Sequence, residues 1–383
     1  MKTVKLYEND SRLGVFTCTV LSCEETENGF KIMTDKTAFF PEGGGQASDR
    51  GFFGETEVTD VQEENGEIYH YVTAPFEPGQ TVEGTLDYAR RFSMMQNHTG
   101  EHIVSGIIHS RFDYNNIGFH LGDDVVTLDV DGKLSDDEIA GIEAEANLAV
   151  LKNVPVTVSY PAPEELETLE YRSKLDLKEG VRIVTIGDFD VCACCAPHVT
   201  ATGEVMAIKL LTHYPHKRGT RIELVCGYRA LEELSRLYAL NAQIMKLLAV
   251  PSDETAAGVI RIQNTAAEQS GEIKRLKTAL ALAEMKTEKI GSVTAAFLSG
   301  AGFDGMTDCL NSLTRENDGV CLVISDGGEE CLFALSSSGE DINPVLGVLR
   351  SSLHAKGGGR DGFAQGKIPA GADEIRAVLS TEL

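Results

Sequence analysis

The sequence predicts an α+β protein built in four stretches. Three observations carry that reading. Residues 1–85 are dominated by β-branched and aromatic runs broken by Gly, Asn and Glu. Residues 86–230 mix helical apolar periodicity with strand-like runs. After a helical stretch at 231–290, short apolar strands return over 291–383 beside one amphipathic helix. The 383 residues suffice for two or three domains with their own cores.

The first stretch reads as a small β-barrel. Its strands are "RLGVFTCTVLSCEE", "GFKIMTD" and "EIYHYVT". After "TAFF" come Gly43, Gly44 and Gly45, which no helix or good strand accommodates, so they form a loop. A glycine run is usually a plain connector. Here Gln46 and Asp49 follow at once, and such a loop brings backbone N–H groups close to a ligand.

Residues 86–230 carry the chemistry. In "YARRFSMMQNHTGEHIVSGIIHSRF", Met95, Val104, Ile107, Ile108 and Phe112 recur at helical spacing. His98 and His102 are four apart, so both imidazoles share one face of that helix. Then come a strand, "DDVVTLDVD", and a helix, "SDDEIAGIEAEANLAVLKN", with acidic residues in its first turn. "VRIVTIGDFDVCACC" reads as one strand leading into Cys194, and Cys194 and His198 make a C-x-x-x-H pair. Either pair alone is usually accidental. Together they offer three nitrogens and one sulfur, a set that suits tetrahedral zinc. Cys192 and Cys195 also come within reach of a metal in some geometries, and the spacing selects Cys194. His109 falls near the face of His98 and His102, in a supporting or helix-end role; His120 reads either as facing the pocket or as a structural histidine, and His70 and His354 as structural or surface residues. "GEVMAIKLLTHYPHKRGTRIELVCG" reads as two strands with a basic turn.

Residues 231–290 read as a helical linker. Ile273, Leu276, Leu280 and Ala283 are spaced 3, 4, 3, which suits a short coiled coil or hairpin. In 291–383, "GVCLVISDG" and "CLFALSS" are strands and "INPVLGVLRSSLH" a helix. The following "AKGGGRDGFAQGK" formally matches G-x-G-x-x-G. A helix rather than a strand precedes it, so the dinucleotide reading fails. What is left is a glycine-rich loop carrying Arg360 and Lys367, suited to phosphate or to a second subunit.

Composition sets bounds. Net charge is −25, which sits badly with a nucleic-acid partner unless basic residues cluster. Two clusters exist: His213, His216, Lys217, Arg218 and Arg221; and Arg350, Lys356, Arg360 and Lys367. On charge alone each reads as a solvated loop. The N-terminus has no apolar core of a signal peptide, and no apolar run approaches a membrane span. Nine scattered cysteines argue for a reducing, cytoplasmic compartment.

"FFPEGGGQASDRG", "NHTGEHI" and "CCAPHV", in this order, resemble the editing domain of alanyl-tRNA synthetase and, more closely, the free-standing AlaX-type alanyl-tRNA editing proteins. "GGGRDGFAQGK" resembles the DHH-associated domain that ends the synthetase and the long editing proteins. The resemblance covers nearly the whole chain. It implies a zinc-binding editing domain over 86–230 with His98, His102, Cys194 and His198 as ligands. It also implies a pocket lined by Gly43, Gly44, Gly45, Gln46 and Asp49. In the C-terminal DHH-associated domain it implies tRNA contacts by Gly357, Gly358, Gly359, Arg360, Gln365 and Lys367, or a homodimer contact. The chain departs from the synthetase pattern C-G-G-T-H, because Cys195, Ala196 and Pro197 replace the small residues and Pro197 holds Ala196 extended.

The expected activity is hydrolysis of mischarged tRNA(Ala), with serine first and glycine next as the wrong amino acid. Zinc would either activate water or position the substrate. No stretch resembles an aminoacylation domain or the Asp-His-His phosphoesterase domain. The alternatives are a zinc-dependent deacylase of another aminoacyl-tRNA, and a tRNA-binding accessory protein with a structural zinc.

Overall fold

The computed structural model describes residues 3–173, 180–360 and 362–383. The chain divides into two compact units, Met1–Leu240 and Asn241–Leu383.

The first unit begins with a closed six-stranded barrel. Its strands are β1 (Val15–Thr26), β2 (Gly29–Thr34), β3 (Gly51–Phe53), β4 (Thr56–Glu64), β5 (Glu67–Val72) and β6 (Thr81–Leu86). They pair antiparallel around the ring in the order β1, β2, β5, β4, β3, β6, and β6 closes on β1. Closure follows from strict alternation. In β1, Phe16, Cys18 and Val20 point inward while Val15 and Thr17 face out, and β6 repeats the pattern. His70 is a structural residue within this core. Its ring stands edge-on to Phe39 and Phe53, and Nε2 lies 2.8 Å from the Thr37 hydroxyl. Burial pushes its imidazole down to about 4.

Asp87 then caps α1 (Tyr88–Phe112) by accepting from Arg90 N–H, and the helix ends at Asp113 in the left-handed conformation. Residues Met94 to Ile108 of α1 are all buried, polar ones included. The helix is enclosed by α2 (Asp136–Lys152) and by an antiparallel sheet of β7 (Asn116–Leu121), β8 (Val126–Val130), β12 (Ile208–His216) and β13 (Gly219–Cys226). Ser135 and Glu138 form a capping box on α2. A three-stranded antiparallel sheet, β9 (Val156–Ser159), β10 (Ile183–Ile186) and β11 (Asp190–Ala193), completes the unit. The single strand expected over 181–195 is thus a hairpin, with Gly187 at φ +47° in its turn. That turn is what delivers β11, and the cysteines after it, to α1.

The second unit holds a six-stranded sheet and corrects two expectations. Helices α3 (Tyr228–Leu248) and α4 (Thr255–Glu284) fill most of 231–290, but Lys286–Ile290 is strand β14. Its sequence, KTEKI, looks helical. As an edge strand it exposes every residue except Ile290, and its charges suit an edge. The sheet runs β14, β15 (Val293–Ser299), β16 (Val320–Asp326), β17 (Cys331–Ser337), β19 (Phe363–Ile368), β18 (Lys356–Arg360). Helix α5 (Phe303–Glu316) covers one face; α6 (Asn343–Ser351) and α7 (Ala372–Glu382) cover the other.

The second correction concerns Gly357, Gly358 and Gly359, which form strand β18 rather than a loop. A Cβ on Gly357 or Gly359 would run into the backbone of β19, so glycine here serves close strand approach.

Candidate metal centre

Four side chains converge where α1 meets the chain after β11. His98 and His102 come from consecutive turns of α1, and Cys194 and His198 from the segment after β11. Their ligand atoms all lie within 4.8 Å of one another. Cys194 Sγ is 3.3 Å from His198 Nε2 and 3.6 Å from His98 Nε2. The three imidazoles pack mutually, with centroids 4.8–5.2 Å apart.

Each imidazole is oriented by a partner at Nδ1. Gln46 Oε1 lies 2.7 Å from His98 Nδ1, Asp190 Oδ2 lies 2.8 Å from His102 Nδ1, and Thr99 Oγ1 lies 3.0 Å from His198 Nδ1. With Nδ1 engaged in all three rings, the Nε2 atoms are left for the centre. Such outer partners fix tautomer and ring plane at metal sites.

The electrostatics match. Burial alone would raise the Cys194 thiol; the His98 and His198 imidazoles and bonds from His102 and His198 outweigh it and hold the thiol well below its usual range. Burial drives the His198 imidazole down to about 3, the neutral form a ligand needs. Burial opposes protonation of His102 too, but Asp190 and Cys194 overcome it and raise that group. Cys192 is different, since burial pushes its thiol up to about 11. A buried, convergent set of three nitrogens and one thiolate fits a tetrahedral metal ion, so these residues could hold one. A second grouping of His102, Asp190 and Cys192 overlaps the first, but there Asp190 is already bonded to Arg172 Nε at 2.7 Å.

The centre opens into a cavity of about 870 Å³ lined by Gly44, Gly45, Glu101, Asn116, Phe119 and Arg172, among others. Gly44 and Gly45 sit at φ +59° and +85° in a tight turn closed by reciprocal Gly43–Gln46 bonds. Leu121 N–H donates to Gly45 O at 2.7 Å, pinning the turn to β7. A Cβ on Gly45 would come within 2.6 Å of the Phe119 ring.

Other expected site residues are placed elsewhere. Gly43 does not line the cavity. Gln46 is buried behind the centre and holds His98; its Nε2 makes no hydrogen bond among the described residues. Asp49 stands outside the cavity, fully engaged with the buried Arg91 guanidinium and with Phe40 N–H. It clamps the glycine turn's segment to α1, and its carboxylate is not free for substrate. His109 lines the cavity, and its carbonyl accepts from Asp113 at the helix end. His120 is exposed on β7, and His354 is exposed at φ +52°. Of the basic clusters, Arg221 is tied to Asp129 at 2.6 Å, His213 to Asp136 at 3.1 Å and Lys367 to Glu330 at 2.7 Å. Arg350 donates to Gly357 O at 3.0 Å, and Arg360 and Lys356 stay exposed on β18. Gln365 lies on β19 opposite Gly358. Among the described residues no helix is long and apolar enough to cross a membrane.

Sequence reasoning missed Asp190, Thr99, Arg172 and Glu101. One signal was present for the first: along a strand, Asp190, Cys192 and Cys194 alternate onto one face.

Comparison with known proteins agrees with the motifs. The family described as "Threonyl and Alanyl tRNA synthetase second additional domain" matches residues 181–225, the segment containing Cys194 and His198. Alanyl-tRNA editing protein AlaX-L of Pyrococcus horikoshii is 29% identical, over 99% of this chain and 98% of that protein. Alanyl-tRNA editing protein Aarsd1 of Rattus norvegicus is 27% identical, over 98% and 97%. Alanine–tRNA ligase of Halorubrum lacusprofundi is 30% identical over 96% of this chain and 42% of that enzyme. Along its whole length the chain is therefore a relative of the AlaX-type alanyl-tRNA editing proteins, as the three motifs around its candidate metal centre imply.

Proposed function

We propose that the protein is a zinc-dependent hydrolase that deacylates mischarged tRNA(Ala) in trans, with Ser-tRNA(Ala) its first substrate and Gly-tRNA(Ala) its second. The carrying observation is the convergence of His98, His102, Cys194 and His198 beside a cavity lined by the first three and by the Gly44–Gly45 turn. The full-length relatives are named as alanyl-tRNA editing proteins, which supports the substrate class.

His98, His102, Cys194 and His198 would hold the ion. Zinc bound there supplies Lewis acidity toward an ester carbonyl or a water molecule. The rest belongs to the chain. Asp190 accepts from His102 Nδ1–H, which leaves the Nε2 lone pair for the ion. Gly44 and Gly45 carry no side chain that would block the ester, and their N–H groups are assigned to its carbonyl oxygen. Gln46 holds His98 through its carbonyl; its unbonded Nε2 lies outside the cavity lining and is assigned to the serine hydroxyl through a turn of the side-chain amide toward the cavity. A pocket that hydrogen-bonds a hydroxyl rejects alanine well. The C-terminal unit, with Arg360 and Gln365 at the β18–β19 edge, is assigned to the tRNA body or to a second subunit.

The test is deacylation of Ser-tRNA(Ala) by the zinc-loaded protein and by the same protein after chelation. Activity lost on chelation, with the fold retained, supports the enzyme. A chelated protein that keeps its fold and still binds tRNA, when the zinc-loaded form never deacylated, would make it an accessory binder.

A further inference from the structure

Glu101 precedes His102 on α1 and faces the same cavity. The residue is only 3% exposed. A carboxylate this buried is rarely without a cation. Yet Glu101 makes no ion pair among the described residues. Asn116, the first residue of β7, donates from Nδ2 to Oε1 at 2.8 Å, and Oε2 accepts no hydrogen bond from any described residue. The nearby Arg172 guanidinium, whose charge interacts with Glu101 without pairing to it, donates from Nε to Asp190 at 2.7 Å and from Nη2 to the Ser105 hydroxyl at 2.8 Å. The arrangement is a carboxylate held in direction by Asn116, with its second oxygen unpaired among the described residues and on the lining of the cavity. A preoriented acceptor of this kind is placed to take a hydrogen bond from a cationic ligand group in the cavity.

Esters of serine and of glycine carry a primary ammonium on the carbon next to the ester carbonyl. We propose that Glu101, held by Asn116, binds that α-ammonium, so the cavity selects esters of amino acids whose amine is free. The inference rests on the deacylase reading and adds to it a second recognition element, separate from the one that reads the side chain. It implies that N-acylated esters of the same tRNA are rejected although their ester bond is equally reactive.

The variant that isolates the charge is Glu101→Gln, because an amide carbonyl still accepts from Asn116 Nδ2 and the volume is kept. The probes are two non-hydrolysable 3′-amide-linked analogues of acylated adenosine, one seryl and one 3-hydroxypropanoyl, which lacks only the amine. Binding is measured by calorimetry on the full-length, zinc-loaded chain. The native protein is expected to bind the seryl analogue roughly tenfold or more tightly than the amine-free one. Glu101→Gln should bring the two within about twofold, with zinc content and Tm unchanged. A Glu101→Gln protein that keeps the native preference overturns the proposal, as does a native protein that binds both analogues equally. If neither analogue binds the native protein, the deacylase reading fails, and this proposal with it. Equal binding of both analogues overturns Glu101's role alone.

Discussion

Asp190 bridges His102 and Arg172: one carboxylate oxygen lies 2.8 Å from His102 Nδ1 and the other accepts from Arg172 Nε at 2.7 Å. The carboxylate therefore orients the His102 imidazole and is itself oriented by a partly buried cation. Asp190→Asn keeps the volume but weakens both contacts. Zinc affinity is expected to fall roughly ten- to a hundredfold, measured by competition with a chelating dye. Unchanged affinity would mean that helix α1 alone sets the His102 ring.

The clamp between Asp49 and Arg91 makes a different prediction. Removing one member of a buried, hydrogen-bonded ion pair costs about 3–5 kcal/mol. In a unit of this size Asp49→Ala should therefore lower Tm by roughly 10 °C. At low temperature the variant should still bind one zinc. Unaltered Tm with lost activity would instead return Asp49 to the substrate.

The three neighbouring cysteines should behave unequally. Only Cys194 lies within reach of two imidazole Nε2 atoms, and only its thiol is lowered by them. Cys194→Ala is expected to lose the zinc seen by elemental analysis, whereas Cys192→Ala and Cys195→Ala should retain it. Zinc retained in Cys194→Ala would move the sulfur ligand to one of its neighbours.

How much of this was legible in the sequence differs by element. Helix α1 was, because its apolar period and both histidines lie within one continuous helix. The grouping of His98 and His102 with Cys194 and His198 was readable from residue type and spacing together with the motif resemblance, and the structure brings the four side chains together. The partners of the imidazoles were not: Gln46 and Asp190 lie 52 and 88 positions from the histidines they hold, and Thr99 lies 99 positions from His198. Only the fold brings them together. Asp49 looked like a pocket residue because it follows the glycine turn. Its partner Arg91, 42 positions on, is what removes it from the chemistry. In the second unit, Gly357, Gly358 and Gly359 read as a loop because glycine is a poor strand former; the close approach of β19 was invisible.

The C-terminal unit gives the fourth prediction. A chain ending at Leu248 keeps the whole metal centre and omits the six-stranded sheet. If that unit binds the tRNA body, KM should rise, kcat should fall little at saturation, and the salt dependence of binding should flatten. If KM holds and the mass in solution halves, the unit is a dimerisation module. No change in either contradicts both assignments.

The central claim is that the cavity beside His98, His102, Cys194 and His198 removes the wrong amino acid from tRNA(Ala). Its most direct test is the ratio of deacylation rates on Ser-tRNA(Ala) and Ala-tRNA(Ala) with the full-length, zinc-loaded protein and no ATP. Loss of one well-placed hydrogen bond to the hydroxyl predicts a ratio of at least about a hundred. Equal rates on the two, or hydrolysis of neither, would contradict it.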